Sequence, residues 1–319
     1  MAGVTYDHLK QRQALPLSAK VAFTQSRIRQ WYEHWNGQVC VSYSGGKDST
    51  VLLDIVKGMY PYVPAVFSDT GLEYPEVREL ALRNADVVVR PTMTFKDVIE
   101  RYGYPVPTRE QAGYIYEARH TKSEKLLNVR LHGRTPDNPR TNFGKISDRW
   151  LPLLDAPFEV SSRCCDIIKK KPLMRYQRES GRYPMIATMA DESMQREKMY
   201  LKDGCHVFDG NRPRSTPMAI WTEQDVLRYI VDNGLEYAGC YGEIVEDGGK
   251  LRCTKENRTG CMFCMFGIQL DGEPNRFQRM ERDYPKQYDY CINRLGIGDV
   301  LEYIGIPYRY QPTLWEVKP

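Results

Sequence analysis

The sequence contains no apolar run long enough to cross a bilayer, since a spanning helix needs about 20 consecutive apolar residues. Residues 1–20 also lack the apolar core of a secretory signal and carry Asp7, Lys10 and Arg12 instead. No segment therefore predicts export or insertion into a membrane. We expect a cytoplasmic protein without a membrane partner.

The sequence also has little net charge, with 45 basic and 41 acidic residues and a formal charge of +4. This balance does not make nucleic acid the default partner, although a local basic patch could still matter. The 5 histidines lack metal-ligand spacing, and the chain has no internal repeat or low-complexity tract. A histidine-based metal site and a repeat architecture are therefore not expected.

Cysteine, in contrast, is frequent, with 9 residues in a chain of 319. Because thiols stay reduced in the cytosol, this number argues against a disulfide framework and favours metal binding or thiol chemistry. Several of these cysteines are interpreted as ordinary buried thiols: Cys40, Cys205, Cys240 and Cys291.

Predicted strands and helices alternate along much of the chain. Apolar runs predict strands over 38–43, 63–67, 86–90 and 184–189, and helical spacing is found over 21–35, 49–59, 73–84, 95–102 and 192–202. Such alternation implies right-handed crossovers and an α/β fold with a doubly wound parallel sheet. Ligands of such sheets bind at the carboxyl ends of the strands.

Two stretches break the alternation. Residues 103–160 are rich in proline, glycine and basic side chains, and we interpret them as an insertion over the active site, either a substrate lid or a solvated excursion. Residues 234–272 are irregular and rich in cysteine, which suggests a metal-stapled segment. The sequence thus predicts an N-terminal helical segment over 1–37, a nucleotide-binding α/β domain over 38–233 with the basic insertion 103–160, and a cysteine-rich, cluster-binding and helical region over 234–319.

A glycine-containing turn joins the first predicted strand to the helix that follows it. Here the backbone N–H groups and the helix dipole can converge on an anion, the glycines allow close approach, and Lys47 adds positive charge. The spacing is neither that of the P-loop nor that of the dinucleotide fingerprint. We expect a phosphate site formed by Ser42, Ser44, Gly45, Gly46, Lys47, Asp48 and Ser49.

The run Ser44-Gly45-Gly46-Lys47-Asp48-Ser49 closely resembles the PP-loop of the ATP pyrophosphatase (adenine nucleotide alpha hydrolase-like) superfamily. The resemblance implies that the loop holds the pyrophosphate end of ATP, which leaves when an acceptor is adenylylated. It also implies that Asp48 orients Mg²⁺ or the loop itself.

Further motifs resemble the phosphoadenylyl-sulfate reductase family, in a consistent order from roughly Val39 to Gly267. They are the segment 67–76 with Asp69 and Thr70, the segment 163–173 with Arg163, Cys164 and Cys165, the run Asp191-Glu192-Ser193 with Arg196, and the segment 217–230. The resemblance implies that Asp69 and Thr70 lie beside the nucleotide, with Asp69 holding Mg²⁺ or ribose. It also implies that Arg163, Lys169 and Arg196 neutralise phosphate charge.

The chain departs from that family at its end. The reductases carry a Glu-Cys-Gly-x-His tail whose cysteine attacks sulfur, whereas this sequence ends Leu314-Trp315-Glu316-Val317-Lys318-Pro319. The likeness is therefore closer to the iron–sulfur, sulfurtransferase-like branch. Such relatives are thought to activate an acceptor with ATP and deliver sulfur to it.

Cys261 and Cys264 form a C-x2-C hook, whose spacing lets two thiolates face one metal centre. In the cluster-bearing reductases a Cys-Cys pair and such a hook complete a [4Fe–4S] site, which implies Cys164 and Cys165 as the other ligands. Cys253 either replaces Cys164 as a ligand or is the free thiol that handles sulfur. Zinc is the alternative metal, since four thiolates also suit a tetrahedral ion.

Three functions follow as hypotheses. The first is an iron–sulfur enzyme that uses ATP and Mg²⁺ to adenylylate an unidentified acceptor and then transfers sulfur from a donor, with Lys47, Asp48, Asp69, Arg196 and Cys253 as catalytic residues. The second is a reductase of adenylyl or phosphoadenylyl sulfate (APS or PAPS) that uses Cys253 or another internal thiol and a thiol reductant. The third is a nucleotide- or nucleic-acid-binding module that uses the basic insertion without turnover.

Overall fold

A computed structural model describes residues 4–133, 142–210 and 212–311, and the chain divides into two units. The sheet unit comprises 1–90 and 171–260, and the cysteine unit comprises 91–170 and 261–319. The domain boundaries predicted after residues 37 and 233 remain predictions. Residues 134–141 of the predicted insertion and the end of the chain from 312 lie outside the described residues.

The elements follow the predicted alternation. The strands are β1 (Val39–Tyr43), β2 (Ala65–Ser68), β3 (Val87–Val89), β4 (Tyr183–Met185), β5 (His206–Val207), β6 (Arg214–Ser215), β7 (Ile244–Asp247) and β8 (Lys250–Cys253). The helices are α1 (Tyr6–Gln13), α2 (Leu17–His34), α3 (Lys47–Met59), α4 (Pro75–Asn84), α5 (Phe95–Tyr102), α6 (Arg109–His120), α7 (Glu124–His132), α8 (Lys171–Ser180), α9 (Met194–Asp203), α10 (Glu223–Asn233), α11 (Arg276–Asp283), α12 (Pro285–Asp289) and α13 (Ile297–Tyr303).

The sheet unit contains a six-stranded sheet in the order β3-β2-β1-β4-β6-β5. Its strands pair in parallel, except for the edge strand β5, which runs antiparallel to β6. The chain leaves β1 toward β2 and β3 on one side and resumes at β4 on the other. The strand order therefore reverses between β1 and β4, which is where a doubly wound sheet binds its ligand. The predicted α/β fold is confirmed.

The core of this unit is apolar on both faces of the sheet. Val39 and Val41 of β1 are fully buried, as are Val51 and Leu52 of α3 and Trp31 of α2. Each such side chain contributes about 1.5–3 kcal/mol through removal of its surface from water. The apolar spacing seen in the sequence therefore places α2 and α3 against the first strand.

The cysteine unit is mainly helical. Within its first chain segment, Tyr104 forms a β-bridge with Val160. The Tyr104 hydroxyl also donates a hydrogen bond of 2.8 Å to the Leu295 carbonyl, which belongs to the second segment. The end of the predicted helical region over 234–319 contains α11, α12 and α13, with a π-helical turn at Tyr290–Arg294. In the parts of the chain that the structure describes, no helix is both long and apolar enough to cross a membrane.

An aromatic cluster packs beside the edge strand β5 and contains a buried histidine. The His206 ring stacks on Trp31 with centroids 5.5 Å apart, and Phe208 lies 5.2 Å away. Both ring nitrogens are buried without a hydrogen-bond partner. Burial lowers the pKa of His206 from 6.5 to about 4, and the positive charge of Arg27 adds to the effect. Neutral His206 is thus part of the folded state.

We expect the free energy of unfolding to fall as the pH drops from about 6.5 toward about 4. In this range His206 binds a proton in the unfolded chain but stays neutral in the folded protein. His206→Phe keeps the stacking and removes this proton, so its decrease should be smaller than that of the wild type. Urea unfolding at several pH values measures both slopes. The exposed His8, changed to Gln, is the control. Parallel slopes for His206→Phe and wild type would contradict the assignment.

Candidate active site

The glycine loop lies between the carboxyl end of β1 and the first turn of α3. Gly46 is the N-cap of α3 and provides no side-chain cap, and the Lys47 N–H of the first turn donates to the Tyr241 hydroxyl at 3.2 Å. The start of a helix favours an anion beside it. The Ser44 and Ser49 hydroxyl oxygens lie 3.0 Å apart and brace the turn. The predicted strand, turn and helix are thus present, with the loop at the edge of the sheet where ligands bind.

Gly45 is required by a close approach of two chain segments. Its φ is +74°, and a Cβ added there would lie 2.4 Å from the Val77 carbonyl oxygen and 2.9 Å from the Ala81 Cβ of α4. Only glycine can both adopt this angle and leave room for the neighbouring helix. The loop conformation therefore depends on α4.

The loop opens into a cleft of about 400 Å³ within the sheet unit, a volume within the range of small-molecule sites. Residues after β1, after β4, at the start of α9 and near β8 all contribute to its lining. The lining side chains and backbone belong to Ser42, Ser44, Gly46, Lys47, Asp48, Ser49, Ile186, Ala187, Thr188, Glu192, Arg196, Tyr241, Arg258, Thr259 and Gly260. The structure thus brings most of the predicted phosphate loop together with Arg196.

Lys47 is buried, and its charge is balanced locally. Its ammonium donates to the Asn257 carbonyl at 2.9 Å and lies 3.3 Å from Glu223 Oε1 and 3.7 Å from Asp48 Oδ1. Asp48 Oδ1 is buried without a hydrogen-bond partner, and burial raises the pKa of this carboxyl group. Asp48 therefore has an oxygen free to accept a hydrogen bond or a cation.

Two arginines flank the other side of the cleft. Arg196 forms an ion pair with Glu192, and the Arg258 guanidinium donates to the Glu192 carbonyl oxygen at 3.3 Å. Burial lowers the pKa of Arg196, and the nearby Arg258 charge lowers it further. Two guanidinium groups that repel each other in one cleft favour an anion between them.

The predicted residues after β2 are engaged elsewhere. Asp69 is 5% exposed and accepts two hydrogen bonds from Arg78, at 2.7 and 2.9 Å, and one from Arg90 at 3.3 Å. The Arg78 hydrogen bond holds the pKa of Asp69 below its usual value. The Thr70 hydroxyl donates to Glu73 at 2.6 Å. Neither residue lines the cleft, and their roles at a nucleotide remain predictions.

Cys253 belongs to the sheet unit and ends strand β8, where it pairs with Ile244. It is 5% exposed. Burial raises the pKa of its thiol, and the Lys47 charge acts in the opposite direction. Cys253 therefore lies within the electrostatic reach of the glycine loop.

The other predicted metal ligands belong to the cysteine unit. Burial raises the pKa of the Cys164 thiol, and the thiols of Cys261, Cys165 and Cys264 raise it further. Burial also raises the pKa of Cys264, and the Lys169 charge opposes the rise at both Cys164 and Cys264. The four thiols thus share one neighbourhood. Within residues 4–133, 142–210 and 212–311, no three His, Cys, Asp or Glu side chains are arranged to hold a single metal ion.

Arg163 also belongs to the cysteine unit, where its guanidinium lies over the rings of Tyr102 and Tyr116 at 5.4 and 5.6 Å. Sequence reasoning missed Tyr241 and Arg258 as cleft residues and Glu223 as an ion-pair partner of Lys47. Glu223 begins α10 within the motif segment 217–230, but nothing in that segment signals its approach to the loop. For Arg258 the sequence gives one indication of a role in the cleft, since this basic residue stands directly before Thr259 and Gly260.

The sequence profile of the phosphoadenosine phosphosulfate reductase domain matches residues 38–88 and 106–264. The chain belongs to this family. The matched residues include the glycine loop, the residues that line the cleft and the cysteine motifs. The predicted resemblance to this family is confirmed.

Individual relatives are distant. A phosphoadenosine 5'-phosphosulfate reductase of Gloeobacter violaceus is 26% identical over 213 residues, which cover 66% of this chain and 68% of that protein. Two uncharacterized proteins of Methanocaldococcus jannaschii are 24% and 22% identical over 84% and 85% of this chain. The matches span 43% and 51% of those two proteins.

Among solved structures, a phosphoadenylyl-sulfate reductase of Candida auris in a phosphate complex is similar, with a TM-score of 0.38 and 14% identity. The similarity covers 78% of this chain and 98% of that one.

Gly45→Ala should destabilise the protein by more than about 1 kcal/mol, because it combines an unfavourable φ with a clash against the Val77 carbonyl. Gly58→Ala, in α3 with open space around the added Cβ, is the control and should stabilise by up to about 1 kcal/mol. Thermal unfolding of both variants measures the difference in sign. A Gly45→Ala protein as stable as wild type would contradict the packing argument.

Proposed function

We propose that this chain is an adenine-nucleotide-dependent enzyme of sulfur chemistry: it binds ATP in the cleft, activates an acceptor by adenylylation and transfers sulfur to it. The observation that supports this best is the cleft itself, where the glycine loop and Lys47 are joined by Arg196 and Arg258. Glycine-loop amides and cationic side chains are the groups that hold a polyphosphate.

The reaction needs an acceptor oxygen to attack the α-phosphorus of ATP. The bond to the bridging oxygen breaks, and pyrophosphate leaves with the bonding electrons. The loop amides and the Lys47 ammonium would stabilise the charge that develops on this leaving group. A sulfur nucleophile from a donor then attacks the activated acceptor carbon, and AMP leaves. Donor and acceptor are the partners that this proposal requires.

Mg²⁺ would be held on the phosphates by Asp48, whose buried Oδ1 has no hydrogen-bond partner. The ion would neutralise phosphate charge when bound. Asp69 is a weaker candidate for this role, because Arg78 and Arg90 already engage its carboxylate.

The cysteine unit offers a donor set for an iron–sulfur cluster. The thiols of Cys261, Cys165 and Cys264 raise the pKa of Cys164, and the thiol of Cys165 raises the pKa of Cys264, as expected of groups that need a cation to be stable as thiolates. A [4Fe–4S] cluster would supply redox-active iron when bound. Zinc is the alternative occupant.

Several basic side chains of the insertion form ion pairs with carboxylates, so fewer positive charges are available to a ligand than the composition suggests. Arg119 pairs with Glu159 at 3.1 Å, Arg130 with Glu117 at 2.6 Å and Lys145 with Asp148 at 2.6 Å. These arginines and this lysine mainly stabilise the helical insertion. We therefore give the nucleotide cleft priority over a nucleic-acid surface.

A second function is favoured by the position of Cys253 beside Lys47 in the sheet unit. In this alternative the Cys253 thiolate attacks the sulfur of APS or PAPS, and the S–O bond to phosphate breaks to release the nucleotide. A thiol reductant then attacks the S-sulfocysteine, which releases sulfite and leaves a mixed disulfide. A second thiol of the reductant resolves it.

We expect the protein to bind Mg·ATP and Lys47→Ala to weaken that binding about 10- to 100-fold, because a charge-assisted contact to phosphate is lost. Isothermal titration calorimetry measures the affinity, and pyrophosphate release with candidate acceptors measures turnover. Lys57→Ala on the same helix is the control, since Lys57 pairs with Asp86 on the surface.

Tight ATP binding without pyrophosphate release for any acceptor would count against adenylylation. Sulfite release from APS or PAPS in the presence of a dithiol, lost in Cys253→Ser, would instead establish the second function.

Protein purified without oxygen should contain about four irons and four acid-labile sulfides per chain. Cys261→Ser and Cys264→Ser should lose them, whereas Cys253→Ser should keep them if Cys253 is the sulfur-handling thiol. Metal analysis and the visible absorption spectrum give the readout. Cys291→Ser, at a buried thiol with no proposed role, is the control. One zinc per chain, or a cluster lost with Cys253, would overturn this assignment.

A further inference from the structure

Residues 257–260, which we call the strap, lie against the glycine loop within the sheet unit. The Asn257 carbonyl accepts a hydrogen bond from the Lys47 ammonium at 2.9 Å. The Thr259 hydroxyl lies 2.6 Å from the Tyr241 hydroxyl, which in turn accepts from the Lys47 backbone N–H at 3.2 Å. The strap is therefore fastened to the loop at two points, through the ammonium and through a backbone amide.

Arg258, at the centre of the strap, lines the same cleft as Lys47 and Arg196. Its charge opposes the burial that raises the pKa of Asp48 in the loop and adds to the burial that lowers the pKa of Arg196 in α9. The guanidinium thus acts electrostatically on both walls of the cleft. None of the motifs named in the sequence includes the strap.

The three cations of the cleft differ in how their charges are balanced. Lys47 lies near Glu223 and Asp48, and Arg196 is paired with Glu192. Arg258 is exposed and contacts a backbone carbonyl, and in the described part of the chain no carboxylate forms an ion pair with it. Arg258 is therefore the cation of this cleft with the most capacity left for an anion.

A guanidinium presents planar, paired donors that match phosphate oxygens better than an ammonium does. Because Arg258 lines the same cleft as the glycine loop and Lys47, it can hold an anion there from a second side. The repulsion between Arg258 and Arg196 would also fall once a phosphate lies between them.

We infer that Arg258 is a phosphate-binding residue and that the strap completes the glycine loop by holding the pyrophosphate end of the nucleotide. This inference rests on the proposed nucleotide site and names a residue that the site needs. It does not depend on the later sulfur chemistry. It makes the strap a determinant of specificity, because Arg258 would add a contact to phosphates that a nucleoside monophosphate lacks.

The test is calorimetric titration of Mg·ATP, inorganic pyrophosphate and AMP into wild type, Arg258→Ala, Arg258→Lys and Arg252→Ala. Arg258→Ala should weaken ATP and pyrophosphate binding about 10-fold or more and change AMP binding less than about twofold. The affinities of Arg258→Lys for ATP and pyrophosphate should lie between those of wild type and Arg258→Ala, since lysine keeps the charge and loses the planar donors. Arg252, exposed on β8 and paired with Asp247, controls for the loss of one positive charge nearby.

The outcomes separate this inference from the proposed function. If wild type binds ATP and pyrophosphate and Arg258→Ala binds them equally well, Arg258 is a surface residue and the inference fails alone. Equal weakening of all three ligands with a lowered melting temperature would show that Arg258 supports the cleft rather than phosphate, which also overturns it. If wild type binds neither ATP nor pyrophosphate, the proposed function fails first and the inference falls with it.

Discussion

The close approach of the glycine loop to helix α4 is the constraint on which the site depends. The backbone at Gly45 leaves no room for a Cβ, because the Val77 carbonyl oxygen would lie 2.4 Å from it. This contact fixes where β1 ends and how α3 begins, and so it fixes the direction of the first-turn amides. A phosphate site built from backbone groups requires such a support, since its donors cannot adjust independently.

The second constraint is the burial of Lys47. An ammonium removed from water needs partners, and here it has a carbonyl from Asn257 and carboxylates from Glu223 and Asp48. Asp48 is the next residue, but Glu223 and Asn257 come from distant parts of the chain. The buried charge therefore ties the start of α10 and the strap to the loop, so that folding of the sheet unit assembles the cleft. The site is a product of tertiary structure rather than of one motif.

This explains how far sequence reasoning could go. Strands such as β1 and β2 and helix α5 carry enough apolar residues at regular spacing to be predicted, and the loop is a local strand–turn–helix feature. Strands β5 and β6 have two residues each, too few for any period. Strand β7 does not alternate, and β8, although it alternates, has only four residues. Glu223 reaches Lys47, and Arg258 reaches the cleft, through packing, which no local spacing records. Asp69 follows a strand as predicted, yet two arginines engage it.

Cysteine spacing alone could not assign Cys253, because it precedes the C-x2-C hook closely enough to be a ligand. The charges around the thiols distinguish two environments. The neighbours of Cys164 include other thiols, a set in which each ionisation opposes the next and which a bound cation would stabilise. The neighbours of Cys253 are the Lys47 ammonium, which lowers the pKa of the thiol, and the Glu223 and Asp48 carboxylates, which raise it together with burial, so that the pKa is raised overall. Cys253 therefore needs a further positive charge, or the loss of a nearby negative one, before it can act as a thiolate nucleophile, whereas the Cys164 group needs a cation that all its thiols share. The two environments are thus better separated by electrostatics than by position in the sequence.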